Sequence, residues 1–260
     1  TPLSKADQHY DKDNFFWQEL KNHPNYDEFW QSRNILPHLN DIDHPVMTVG
    51  GWFDAEDLYG PLNTYRSIEE KNPDTKNTIV MGPWSHGQWA SSSPHQSVGE
   101  IYFGEGISAF YQKEIEYPFF MKHLKDVNIK DLPEAYMFDT GKKSWSTFDH
   151  WPPKNIEQKS WYIHSNGRLN DTKPGKSGKK YTEYKSDIDN PVPYKEESEL
   201  VFIPQDYMTD DQRFAARRPD VITFETPVLK EDITLAGDML ANLFVSTSGT
   251  ASDWVVKLVD

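Results

Sequence analysis

Residues 44–84 read HPVMTVGGWFDAEDLYGPLNTYRSIEEKNPDTKNTIVMGPW. The stretch opens on a short apolar run closed by Gly50 and Gly51, the pattern of a buried strand. A second such run, NTIVMGPW, closes on Gly82-Pro83. Between them Leu58, Leu62, Tyr65 and Ile68 recur near helical spacing, with Gly60-Pro61 interrupting early. Strand, helix, strand over residues 45–83 is a βαβ unit, and such units build parallel sheets.

In a parallel sheet, functional side chains gather just past the carboxyl ends of the strands. Asp54 falls there after the first strand and His86, in GPWSHG, after the second. They are 32 residues apart, a spacing that suits one helical crossover. Adjacent strand ends then present an acid and an imidazole at one rim, as the α/β-hydrolase fold does for the last two members of a Ser…Asp…His triad. The chemistry requires both types. A neutral imidazole takes the serine proton and returns it to the leaving group, and the carboxylate fixes the imidazole's tautomer and stabilises its charged form.

Each residue also has a bland reading. Asp54 followed by Glu56 and Asp57 makes an acidic helix start, with Asp54 as N-cap and the next two favoured by the positive helix end. For an arbitrary acidic helix start, that reading outranks catalysis. A single histidine after a strand is more often structural, and among the 9 histidines His44, His95 and His150 have no assignable partner. The joint pattern, acid and histidine at consecutive strand ends, shifts the balance. The nucleophile is missing: no G-x-S-x-G occurs, GKSG at 175–178 lacks a strand–turn–helix context, and Ser85 is badly placed for an elbow. There is no H-E-x-x-H, and no ligand set for a metal is recognisable. No cofactor is expected.

The chain has 260 residues, room for one large domain or two ordinary ones. Aromatics make up 14%, enough material for a packed core. A net charge of −14 argues against nucleic acid or anionic membrane as partner. With no cysteine, disulfides and thiolate metal sites are excluded. No stretch approaches a membrane span, and the first residues lack the form of a signal peptide. The chain starts without Met and stops inside a strand-like DWVVKLVD, so it reads as an internal piece of a longer protein.

Residues 8–40 are helix-like and aromatic, and ISAFYQKEIEYPFFMKHLKD (107–126) reads as a helix with a kink or break at Pro118. After about residue 126 the texture changes. EAYMFD, KSWYIH and LVFIP are short strand-like runs between turn-rich segments, and residues 235–245 alternate, with Leu235, Gly237, Met239, Ala241, Leu243 and Val245 on one face. This half reads as an antiparallel β-sandwich. The Lys-rich NGRLNDTKPGKSGKKYTE reads as a solvated loop.

HPNYDEFWQSRN, HPVMTVGGWFDAEDLYGPL and VMGPWSHGQW together resemble the CocE/NonD group of serine hydrolases, which includes cocaine esterase-like enzymes, glutaryl-7-aminocephalosporanic acid acylases and α-amino-acid ester hydrolases, with X-prolyl dipeptidyl aminopeptidases as a more distant branch. The resemblance covers most of the chain and is strongest over residues 23–90. It implies an α/β plus β fold: the end of a helical cap (1–40), the C-terminal part of an α/β-hydrolase domain (41–125) and an incomplete jelly-roll β-sandwich (126–260). It makes Asp54 the triad acid and His86 the triad base, with the serine and the oxyanion-hole tyrosine upstream. Glu56 and Asp57 match the acidic pair that helps bind a substrate's α-ammonium group in α-amino-acid ester hydrolases. The implied partner is a small-molecule ester or amide with a free α-amino group, extending to β-lactam amides. An exported location and a homo-oligomer also fit the resemblance. The alternatives are a plain carboxylesterase, a glutaryl-type acylase, an X-prolyl dipeptidyl aminopeptidase-like enzyme or, in another class, a β-sandwich binding module.

Overall fold

The structure, a computed structural model, describes residues 3–10, 14–178, 181–196 and 207–260. The aromatic N-terminal stretch is a series of short pieces. A 3-10 turn at Leu3–Gln8 is followed by α1 (Phe15–Asn22) and α2 (Glu28–Gln31). Asn14 caps α1 by accepting the Trp17 N–H at 3.0 Å, and Asp27 caps α2 by accepting the Phe29 N–H at 3.0 Å. Pro24, with no N–H to donate, falls between them, so the helix-like pattern does not run through.

The βαβ unit forms as expected. β1 (Val46–Gly51), α3 (Tyr59–Lys71) and β2 (Asn77–Gly82) follow in order, and β1 pairs with β2 in parallel, Val46 opposite Asn77 and Gly51 opposite Gly82. All six residues of β2 are buried, which explains its unbroken apolar character. The antiparallel pair β3 (His95–Val98) and β4 (Ile101–Glu105) follows. Then come α4 (Ile107–Phe110), a π-helical stretch at Tyr111–Glu116 and α5 (Tyr117–Lys125). Pro118 does not break this run; it sits in the first turn of α5, where its missing N–H costs least, after the wider π turn.

The sheet continues past residue 126. EAYMFD forms β5 (Ala135–Asp139), which pairs in parallel with β2, and β6 (Ser144–Phe148) pairs antiparallel with β5. The order is β1-β2-β5-β6. Alternation along the strands splits the core between two faces. Ile79, Met81, Ala135 and Met137 pack with Tyr65 of α3, whereas Val80, Tyr136 and Phe138 pack with Ile107, Tyr111 and Ile115.

Beyond β6 the strand expectations are met only in part. β7 (Tyr162–Ile163) and β8 (Leu169–Asn170) form a two-stranded antiparallel ladder, and Arg168 bridges to Glu225. α6 (Arg213–Ala216) is a single short helix. LVFIP lies outside the described residues. Residues 235–245 and DWVVKLVD are not strands: among the described residues no neighbour supplies a ladder, and Met239, Leu240 and Phe244 are exposed. Alternation marks which face a strand would bury, but a strand exists only where another chain segment takes its backbone hydrogen bonds. No helix among the described residues is long and apolar enough to cross a membrane.

Candidate active site

Two backbone hydrogen bonds carry the β1–β2 ladder past the strand ends. Trp52 N–H donates to the Gly82 carbonyl at 2.9 Å and Phe53 N–H to the Trp84 carbonyl at 3.0 Å. The loops therefore stay in register, and Asp54, one residue beyond Phe53, meets His86, two beyond Trp84. Gly51 permits this approach, because a Cβ there would lie 2.1 Å from the Trp84 carbonyl oxygen. Gly87, immediately after the histidine, turns the chain with φ of 74°, a left-handed conformation that favours glycine.

Asp54 is buried, at 4% exposure, and its two oxygens divide their work. Oδ1 accepts the N–H groups of Glu56 at 2.8 Å and Asp57 at 3.0 Å. Oδ2 lies 3.0 Å from His86 Nδ1, with Oδ1 at 3.2 Å from the same nitrogen. An ionised carboxylate only accepts, so Nδ1 must carry the proton. In the neutral imidazole that leaves Nε2 with its lone pair, and the His86 side chain is 47% exposed. The hydrogen bond and charge of Asp54 raise the His86 pKa above its usual value, with smaller contributions from Glu56 and Asp57. The imidazole is thus fixed in tautomer, more basic than usual and open on one side, as a general base requires.

The helix-capping reading is corrected in detail. Asp54 caps a turn ahead of α3 rather than the helix itself, and Asp57 serves the helix start, its Oδ1 accepting the Gly60 N–H at 3.1 Å. Glu56 and Asp57 are exposed beside the buried acid, and no Lys or Arg pairs with either among the described residues. Two residues beyond Asp57, Tyr59 joins Tyr26, Trp30, Arg33 and Asn34 around a surface depression of about 390 Å³.

The residues that sequence reasoning missed lie behind the histidine. Trp84, Ser85, Gln96 and Ser108 are buried and, with Gln88, form a hydrogen-bonded group under the His86 turn. SHGQ, with a glutamine three residues after the turn begins, was the available signal. The three histidines left unassigned all have carboxylate neighbours: His44 with Asp43, His95 with Glu105 and His150 with Glu134. Among the described residues, one cluster offers metal-type ligand atoms, Glu69, Glu134 and His150, within 4.8 Å of one another. It lies at the amino end of the sheet, away from Asp54 and His86.

Residues 127–260 match the X-Pro dipeptidyl-peptidase C-terminal non-catalytic domain, and residues 2–88 match the X-Pro dipeptidyl-peptidase (S15 family). The chain belongs to this family, in the CocE/NonD group of serine hydrolases. It is 28% identical over 255 residues to the cocaine esterase of Rhodococcus sp. (strain MB1 Bresler), a match covering 93% of this chain and 42% of that protein. Two solved structures are similar. The aminopeptidase from the marine sediment archaeon Thaumarchaeota archaeon gives a TM-score of 0.76 at 32% identity, covering 83% of this chain and 36% of that one. An α-amino acid ester hydrolase gives 0.74 at 28%, covering 84% and 37%. All three names are those of hydrolases. The chain spans about two fifths of the length of these relatives.

Proposed function

We propose that this chain supplies the acid and the base of a serine hydrolase's Ser-His-Asp triad, in an enzyme that cleaves α-amino-acid esters and related amides. The observation that carries the reading is the 3.0 Å contact between the buried Asp54 carboxylate and Nδ1 of His86, whose side chain is 47% exposed. Nε2 takes the proton of a serine hydroxyl supplied from outside residues 1–260. The hydroxyl oxygen attacks the acyl carbon, and the imidazolium then protonates the leaving group. Asp54 stays ionised throughout and stabilises the imidazolium.

Glu56 and Asp57 are assigned to the substrate's α-ammonium group. A cation entering a cleft loses hydration and needs fixed negative charge close by. These two carboxylates stand beside the catalytic acid, and no Lys or Arg among the described residues pairs with them. The name of one relative, α-amino acid ester hydrolase, supports this specificity. A plain esterase remains the competing reading, supported by the likeness to cocaine esterase. Substrate pairs that differ only in the α-amino group separate the two. In the full-length enzyme, Glu56→Gln with Asp57→Asn is expected to cut kcat/KM on the aminated ester by about 10–100-fold, the scale of one lost charge-assisted contact or two. The des-amino ester should change little. Equal losses on both would remove the ammonium assignment.

For architecture, we assign residues 1–40 to the end of a cap, the sheet region to an α/β-hydrolase domain and the rest to a jelly roll. The C-terminal domain match begins at 127, near the boundary at 126, while β5 and β6 pair into the sheet of β1 and β2.

A further inference from the structure

The turn that carries His86 is held by its own Gln88 and by side chains on two other elements, β3 and α4. Gln88 folds back so that its Oε1 accepts the Ser85 N–H at 2.7 Å. The same oxygen accepts from Nε2 of Gln96, on β3, at 3.0 Å. Gln96 Oε1 lies 3.0 Å from the hydroxyl of Ser108, on α4, and that hydroxyl accepts the Trp84 indole N–H at 3.0 Å. Ser108 Oγ is also 3.0 Å from the Gln88 carbonyl, and Gln88 Nε2 reaches the Ser97 carbonyl at 3.3 Å. The circuit closes on Trp84, Ser85 and Gln88, which flank His86 on both sides.

Gln96 and Ser108 are 4% and 1% exposed. Burying an amide and a hydroxyl is costly unless each finds partners, and here each does, within one group. An apolar pair would fill the same space without that cost. The polar pair instead fixes a direction: hydrogen bonds set where the turn sits to tenths of an ångström, whereas apolar contact does not. Asp54 orients the imidazole ring, but only the backbone of the turn decides where the ring begins.

We propose that Gln88, Gln96 and Ser108 are positioning residues for His86, coupling the base to the β3–β4 hairpin and to α4. Among the described residues none of them hydrogen-bonds the imidazole; they act through the peptide units on either side of it. The inference rests on the reading of His86 as the general base, and its test separates the two.

The test has two readouts. By NMR on this chain, the His86 ring is titrated in the parent protein and in the Gln88→Met, Gln96→Leu and Ser108→Ala variants. Loosening the turn lengthens the contact with Asp54, so the raised His86 pKa should fall toward the ordinary histidine value of about 6.5 in each variant. Gln88 is only half-buried, so Gln88→Met keeps the readout available if the buried variants do not fold. In the full-length enzyme, the variants should lose about 10–100-fold in kcat with KM within about twofold, the range for groups that orient a catalytic residue. Variants with lower Tm but an unchanged His86 pKa and unchanged kcat would overturn the proposal. The His86→Ala control reports on the base itself: retained activity there sinks the catalytic reading, while the titration still decides whether the circuit positions the ring.

Discussion

The sheet carries a histidine–carboxylate pair at each end, and the two pairs differ in the burial of the acid, in what holds it and in the length of the contact. At the carboxyl end, Asp54 is buried, accepts two backbone N–H groups and faces His86 Nδ1 at 3.0 Å. At the amino end, Glu134 just precedes β5, His150 follows β6, and the two approach only to 3.5 Å. Glu134 is also bonded by the hydroxyl of Tyr65, which in turn accepts the Trp151 N–H at 3.3 Å. Asn77 ties Glu69 into the same group at 2.9 Å. Burial, then the Glu134 carboxylate, raises the Tyr65 pKa well above its usual value, and burial raises that of Glu69. That end is a shared polar network joining α3 to the β5–β6 edge. The comparison teaches that proximity of His to a carboxylate is not a catalytic signature. What sets the Asp54–His86 pair apart is a buried acid held by backbone donors and a shorter Nδ1 contact; the two histidines are about equally exposed.

The largest way to break the difference is Asp54→Asn in the full-length enzyme. Asn retains an oxygen for the Glu56 and Asp57 N–H groups, so the fold should persist. It offers His86 no ionised acceptor, however, and the wrong tautomer follows. A fall in kcat of about 10⁴-fold is expected, the scale of that substitution in a serine-protease triad. Next comes the approach of the loops. Gly51→Ala would drive a Cβ against the Trp84 carbonyl, and a loss of about 1–3 kcal/mol by denaturant unfolding is expected, as for overpacked sites. At the other end, Tyr65→Phe removes one hydroxyl from the network. It should cost about 1–2 kcal/mol and lower Tm by a few degrees, with kcat unchanged.

The smallest effect is the pH dependence. A raised His86 pKa means that its pairing with Asp54 stabilises the fold fully below the unfolded value of about 6.5 and fades as pH rises through the folded value. With Asp54→Asn this slope should flatten in thermal melts above about pH 6.5. Catalysis runs the other way, since the base must be neutral: activity should climb with pH through the same raised value.

Much of the rim was legible in the sequence. Two apolar runs ending in glycine, with a helical crossover between, suffice to place Asp54 and His86 together, because parallel register is a local consequence of the βαβ unit. Helix pieces over 8–40 were harder, since aromatic richness does not reveal where prolines cut. The fate of EAYMFD was not legible: whether a short strand joins one sheet or the next depends on partners distant in sequence. The same holds for residues 235–245, whose alternation is real but whose backbone finds no ladder among the described residues. The Gln88–Gln96–Ser108 group was legible only at Gln88, in SHGQ, for a related reason. Buried polar circuits assemble residues from different elements and leave no periodicity.

The most direct test sets the two histidines against each other. Steady-state kinetics of His86→Ala and His150→Ala are compared in the full-length enzyme on one α-amino-acid ester. The account predicts a loss of at least about 10³-fold in kcat for His86→Ala, and a change within about twofold for His150→Ala. Comparable losses in both variants, or near-normal turnover without His86, would contradict it.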